Sequence, residues 1–167
     1  MSLQTLDKDA FAVRAGDISR DIFFIHSGLL RLFYTSADGK ERNKAFSGPG
    51  QVAGAVSAAI TAKAATFDIQ ALEPSVLVRA DFNQIYQHAY RNTDTSRVII
   101  ALLAEAFIRN EQREAMLLTL SAEQRYQWLL DKEPELVKRL PQFHIASYIG
   151  VDAVSLSRLK RKLKLGQ

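Results

Sequence analysis

Residues 144–163 read His-Ile-Ala-Ser-Tyr-Ile-Gly-Val-Asp-Ala-Val-Ser-Leu-Ser-Arg-Leu-Lys-Arg-Lys-Leu and hold the densest recognition chemistry in the chain. Arg158 carries a planar fork of donors that matches the paired acceptors on the major-groove edge of guanine. Arg161 and Lys162 suit phosphate, and Ser155 and Ser157 offer hydroxyls. The spacing supplies the elements that would hold these groups. Ala146 is small enough for two helices to cross closely. Gly150 can take the positive φ that ends one helix and turns the chain. Asp152 can cap the next helix by accepting from a free backbone N–H. Ile145, Ile149, Val151, Leu156 and Leu159 are spaced to bury one face of the pair. Ser155, Ser157, Arg158, Arg161 and Lys162 fall on the other, the layout of a DNA-reading helix-turn-helix.

Charge supports this reading. From residue 138 onward there are seven Lys/Arg (Lys138, Arg139, Arg158, Lys160, Arg161, Lys162, Lys164) against Asp152 alone. That tail is therefore +6, and with +4 for the whole chain, residues 1–137 carry −2. A polyanion would bind the tail. The plainer alternative is a solvated basic helix end that complements the helix dipole.

Composition narrows the remaining classes. A chain of 167 residues can bury a real core and form one or two small domains. Without cysteine it has no disulfide framework, thiolate-ligated iron–sulfur cluster or cysteine-based zinc site. No apolar run approaches the roughly 18–20 residues that span a bilayer, and no secretory leader is visible. A cytoplasmic location is expected, with no membrane partner. His26, His88 and His144 lie far apart and lack ligand spacing, so no metal and no cofactor are expected. No phosphate-cradling Gly-x-x-x-x-Gly-Lys or nucleophile elbow occurs, and an enzyme is not expected.

The elements that must position the basic tail follow from the pattern. Residues 10–80 show short apolar runs: Phe11–Val13, Ile22–Ile25, Leu29–Tyr34, Lys44–Phe46, Phe67–Leu72 and Val76–Arg79. Turn residues separate them, and Asp38-Gly39 predicts a hairpin. An antiparallel barrel, roll or sandwich is expected. Val52–Ala62 is alanine-rich and is expected to contain a short helix. Met1-Ser2-Leu3 is a candidate leader in a weakly patterned first ten residues, and an N-terminal helix is expected to be missing.

From Asp81 the period becomes helical. Asp81 caps a helix through Tyr90, and Asp94 or Thr95 caps a long helix to about Leu118. Its wide apolar stripe includes Val98, Ile99, Leu102, Leu103, Ala106, Phe107, Met116 and Leu117. That surplus predicts burial against a second copy, with packing inside the monomer as the alternative. Ser121, with Glu123 and Gln124 in the first turn, starts another helix that ends before Pro134. A short helix is expected within residues 133–142. The reading is α+β: a β-roll over residues 1–93, a long dimer helix over 94–120 and a helix-turn-helix domain over 121–167.

Several stretches together resemble the Crp/Fnr family of bacterial transcription regulators. In the roll they are Arg14-Ala-Gly-Asp17, Phe23-Phe-Ile-His-Ser-Gly28, Leu30-Arg-Leu32, Asp38-Gly-Lys-Glu41 and Gln70-Ala-Leu-Glu73. In the tail they are Ala122-Glu-Gln-Arg-Tyr126, Ile145-Ala-Ser-Tyr-Ile-Gly150 and Ser155-Leu-Ser-Arg-Leu159. The tail motifs at their mutual spacing are the most specific. The chain is most similar to the short branch that ends just after the recognition helix. Ending at Gln167, it is expected to lack the β-hairpin wing of typical members.

The resemblance implies a cyclic-nucleotide-binding-type antiparallel β-roll, a long dimerisation helix and a helix-turn-helix bundle. It implies a homodimer on a two-fold symmetric site in double-stranded DNA, with RNA polymerase as a further partner. The base-reading positions carried over are Ala153, Val154, Ser155, Ser157 and Arg158. Many relatives have an acid at the position of Val154, which valine cannot replace as an acceptor. Arg161, Lys162 and Lys164 are expected on phosphate, and His144, Ser147 and Tyr148 are candidates for it, Tyr148 equally for packing.

In the family's nucleotide cassette a glutamate meets the ribose, and an Arg-Ser or Arg-Thr pair holds the cyclic phosphate. Here Gly54, Ala55, Val56, Ala65 and Thr66 occupy the pocket positions, with Ala55 for the glutamate and Ala65 for the arginine. No tight binding of cyclic AMP or cyclic GMP is expected, and the lining names no other effector. The function expected is a sequence-specific transcription regulator. Apolar Ala153 and Val154 motivate the alternative, a ligand-sensing or protein-interaction module without specific DNA reading.

Overall fold

The computed structural model describes residues 1–165, with side chains through Lys162. It forms two compact units that divide between Ala106 and Phe107.

The first unit holds eight strands: β1 (Ser2–Leu6), β2 (Phe11–Val13), β3 (Asp21–Ser27), β4 (Leu30–Thr35), β5 (Glu41–Ser47), β6 (Val52–Gly54), β7 (Asp68–Ala71) and β8 (Ser75–Asp81). They form two four-stranded antiparallel sheets, ordered β1-β8-β3-β6 and β2-β7-β4-β5. Strand alternation splits β3 between two cores. Phe23 and Ile25 join Val13, Leu30, Ile69 and Leu77 inside the roll. Ile22, with Phe24 beside it, packs instead with Phe82, Ile85 and Ile99. The expected hairpin joins β4 to β5, with Gly39 at φ +77 and its N–H on the Ser36 carbonyl at 2.8 Å.

Three helices belong wholly or partly to this unit: α1 (Val56–Thr61), α2 (Phe82–Ala89) and α3 (Thr93–Thr119), which runs on into the second unit. Asp81 caps α2 by accepting from the Gln84 N–H at 2.8 Å, as its position predicted. The second unit continues with α4 (Ala122–Lys132), α5 (Pro134–Arg139), α6 (Gln142–Tyr148) and α7 (Ala153–Leu165). Ser121 and Gln124 form a reciprocal capping box at the start of α4.

Three sequence expectations need correction. The candidate leader is structural: Ser2–Leu6 is β1, paired with β8 from Ser2–Arg79 to Leu6–Ser75. Its weak pattern reflects an edge strand that buries few of its residues. The short helix expected within Val52–Ala62 is α1, and strand β6 precedes it there, with Val52–Gly54 paired to Phe24–Ile22. The cap of α3 is Asn92, whose Oδ1 accepts from the Thr95 N–H at 2.9 Å, rather than Asp94 or Thr95. Finally, β3, β5 and β8 extend beyond their apolar runs at both ends, since ladder bonding is indifferent to side-chain polarity, while β7 lies inside its own.

The wide stripe of α3 divides three ways. Ile99 and Leu102 pack in the first unit, and Met116 is buried in the second. Val98, Ile100, Leu103, Phe107, Ile108 and Leu118 remain exposed, Phe107 by 68%. Among the described residues, no helix is long and apolar enough to cross a membrane.

Candidate nucleic-acid interface

The turn between α6 and α7 is built by backbone accounting. The Val151 N–H reaches back to the Ala146 carbonyl at 2.9 Å, and the Gly150 N–H to that of Ser147 at 3.3 Å. This is a Schellman motif with glycine in the left-handed region at φ +71. A Cβ at residue 150 would also stand 3.2 Å from Leu117 Cδ2 and 3.3 Å from Arg125 Nη1. Glycine suits the left-handed backbone, and a side chain there would crowd these two side-chain ends. Two arginines take the last carbonyls of α6. Arg113 Nη2 donates to the Tyr148 carbonyl at 3.0 Å, and Arg125 Nη1 to that of Ile149 at 3.3 Å.

Asp152 caps α7 as expected, with Oδ1 2.7 Å from the Ser155 N–H. Its other carboxylate oxygen accepts from the Ser155 hydroxyl at 2.9 Å. These bonds hold the Asp152 carboxyl below its ordinary pKa. They also engage the hydroxyl of Ser155, one of the five base-reading candidates.

Leu156 is fully buried, and Val151, Ser155, Leu159 and Lys160 are half-buried. Ala153, Val154, Ser157, Arg158, Arg161 and Lys162 are all exposed. Steps of three and four along a helix put residues on one side, so 154, 157, 158 and 161 form a continuous stripe. Val154 is 61% exposed. Lys162 ends 2.7 Å from Glu123 Oε2 on α4. The Lys164 side chain lies outside the described residues.

The candidates on α6 fall otherwise. His144 and Tyr148 are buried, and Ser147 is half-buried. Tyr148 donates to the Glu133 carboxylate, and the Arg113 guanidinium lies 4.8 Å from its ring centre. Burial, then the Glu133 charge, pushes the Tyr148 phenol up to about 12. Burial also raises the Glu133 carboxyl, against the opposing pull of Arg109 and the Tyr148 hydrogen bond. Burial turns both His144 and Tyr148 away from solvent, against their expectation as phosphate candidates. Exposed Phe143 takes the outward position beside them.

In the roll, Ala55 and Ala65 are 2% and 3% exposed and share the core with Phe67, Val13 and Leu32. The Ala65 backbone is bonded both ways to the Gly16–Asp17 turn, at 2.8 Å each. Gly54 lies against β3, where a Cβ would come within 2.8 Å of Ile22 Cγ2. Val56 is half-buried and Thr66 exposed. The remaining alanines divide between cores, Ala53 and Ala58 inside the roll and Ala59 beneath the helices. Methyl groups at 55 and 65 supply neither an acceptor for a ribose nor a cation for a cyclic phosphate. These residues do not fit that ligand.

Sequence reasoning missed Glu123, Arg113 and Arg125 as parts of this unit's framework. Arg113 left a usable signal, since a cation beside Met116 and Leu117 on an apolar stripe must find an internal acceptor. Glu123 left none, because nothing in sequence connects residues 39 positions apart.

Residues 3–92 match the family model for the cyclic nucleotide-binding domain. Among curated proteins, none matches the sequence. Solved structures are similar over almost the whole chain. FixK2 from Bradyrhizobium japonicum is 17% identical with a TM-score of 0.82, covering 99% of this chain and 85% of its own. A CooA mutant from Carboxydothermus hydrogenoformans is 18% identical with a TM-score of 0.77, covering 98% and 76%. CLP, a c-di-GMP-responsive global regulator from Xanthomonas campestris, is 17% identical with a TM-score of 0.77, covering 99% and 87%. With a matched roll, a long helix and a helix-turn-helix in one chain, the protein belongs to the cyclic nucleotide-binding domain family and has the fold of the Crp/Fnr transcription regulators.

Proposed function

We propose that this protein is a cytoplasmic, dimeric, sequence-specific DNA-binding transcription regulator that does not respond to cyclic AMP or cyclic GMP. The observation that carries the reading is the stripe of Ser157, Arg158, Arg161 and Lys162, exposed on a helix whose opposite face is anchored by Leu156. In the major groove, Arg158 reads guanine while Arg161 and Lys162 hold phosphate. Two copies joined along α3 place two such helices about one DNA turn, roughly 34 Å, apart. Ile100, Leu103 and Phe107 supply the seam, exposed at steps of three and four. The domain assignment is a roll over 1–93, a dimer helix over 94–120 and a DNA-binding unit over 121–167.

The nucleotide part of the proposal rests on Ala55 and Ala65. A cyclic phosphate desolvated there without a cation would cost several kcal/mol. The roll then serves as a scaffold or takes an uncharged effector. Exposed Phe143 and Val154 favour a second reading, a protein-interaction module without specific DNA reading. Selection from random duplexes at near-physiological salt separates the two. A regulator enriches a two-fold symmetric site; an interaction module enriches none.

A further inference from the structure

A sheet edge is a row of unpaired N–H and C=O groups, which proteins blunt with charge, proline, shortness or a bulge. Among the described residues, three of the four edge strands of the roll carry such a device. β6 spans only Val52–Gly54. β2 is as short, and its register with β7 shifts between Phe11 and Val13. β5 places Glu41, Arg42 and Lys44 along its length. β1 has none of these. Its sequence, Ser2-Leu3-Gln4-Thr5-Leu6, holds no charge, proline or glycine. Its pairing with β8 runs unbroken from Ser2–Arg79 to Leu6–Ser75. Its other side has no strand beside it, since β1 ends the order β1-β8-β3-β6. Side chains alternate along a strand, so Leu3 and Thr5 share the face opposite Leu6, which is buried in the roll core. Leu3 is 71% exposed, and Thr5 is exposed beside it.

We infer that β1 is a self-association surface, on which the β1 of a second copy adds antiparallel about a two-fold axis at Gln4. That register sets Ser2 opposite Leu6 and Leu3 opposite Thr5, with no like charges facing each other. The same pairing of β5 about Asn43 would set Arg42 opposite Lys44. β1 offers no charge by which to choose a foreign strand, while its own sequence meets the register from both sides. Two four-stranded sheets become one of eight. Five residues make a ladder of only about 17 Å, marginal by itself. The pairing is therefore weaker than the proposed α3 seam, and it adds an association step at higher protein concentration.

The test is sedimentation velocity of the full chain without DNA, over rising concentration. A step that survives Phe107→Asp at the highest concentrations is expected. Leu3→Lys with Thr5→Lys changes two exposed side chains and sets lysine opposite lysine twice. It should weaken that step at least about tenfold. Leu3→Lys with Thr5→Glu sets lysine opposite glutamate in the same register and should restore it to within about threefold of the parent. Circular dichroism confirms the fold of each variant. A parent without this step, a step indifferent to the lysine pair, or one lost equally with the lysine–glutamate pair would overturn the inference. Each of these results would leave the α3 seam and the DNA-binding reading intact.

Discussion

Lys162 on α7 and Glu123 on α4 form an ion pair of 2.7 Å across the helix-turn-helix unit. Both side chains are solvent-accessible, so the pair is weak and open to competition. A DNA phosphate reaching Lys162 must displace Glu123 or share the cation with it. Glu123→Gln should therefore tighten binding to any duplex, and Lys162→Ala should weaken all sequences alike. The lysine variant should also reduce the slope of log affinity against log salt by about 0.9. Fluorescence anisotropy titrations over a range of salt concentrations check both, and unchanged slopes would remove Lys162 from the phosphate contacts.

Arg158→Ala should relax preference at one base pair of each half-site and leave the others unchanged. The expected loss is about 1–3 kcal/mol of discrimination per half-site. Competition with single-base variants of the selected site measures it. Loss spread evenly over all positions would instead make Arg158 a phosphate contact.

Phe107→Asp should break the proposed dimer with little effect on protomer stability, because this ring is largely exposed in the protomer. A charge on each side of a helix seam costs the association at least about tenfold in dissociation constant. Sedimentation velocity across protein concentration checks this, with circular dichroism confirming the fold. A variant as dimeric as the parent would place the interface away from this face.

Glu133 gives a signed pH dependence. Burial raises its carboxyl pKa in the folded protein, so the folded state binds that proton more tightly than the unfolded chain. The resulting stability is full below the ordinary carboxyl range and is lost as pH rises through the raised value. Glu133→Gln keeps an acceptor for Tyr148 and removes the titration. Its stability relative to the parent should therefore improve from acid toward neutral pH, as urea unfolding at a series of pH values would show. Tyr148→Phe, which removes the donor to a half-buried carboxylate, should destabilise by about 1–3 kcal/mol.

Injecting cyclic AMP or cyclic GMP at micromolar concentration should give no binding heat in calorimetry. The Ala55 and Ala65 positions offer a nucleotide neither ion pairing nor hydrogen bonding from their side chains. Saturable heat with either nucleotide would overturn that part of the proposal.

Local chemistry made much of the molecule legible. The helix-turn-helix was written in Gly150, Asp152 and the apolar spacing, because a positive φ, a cap and a buried face are demands each residue meets within one turn. The Asp38-Gly39 hairpin and the Ser121–Gln124 capping box were readable for the same reason. Strand β1 was not, since an edge strand needs little burial and leaves a weak pattern. The Asn92 cap lies two or three residues before the expected Asp94 or Thr95, within reach of several competing polar side chains.

The sequence by itself determined most of the element types, the turn at residues 149–152 and the basic helix. These depend on residue identity, neighbours and period. Only the tertiary structure decided that Tyr148 and His144 face inward, that two arginines close the carbonyl end of α6, and that Lys162 meets Glu123. It also sorted the α3 stripe into buried Ile99 and Met116 and exposed Phe107. Such outcomes follow from which surfaces long-range packing brings together, and a long amphiphilic side chain such as Arg or Tyr satisfies its local preferences facing either way.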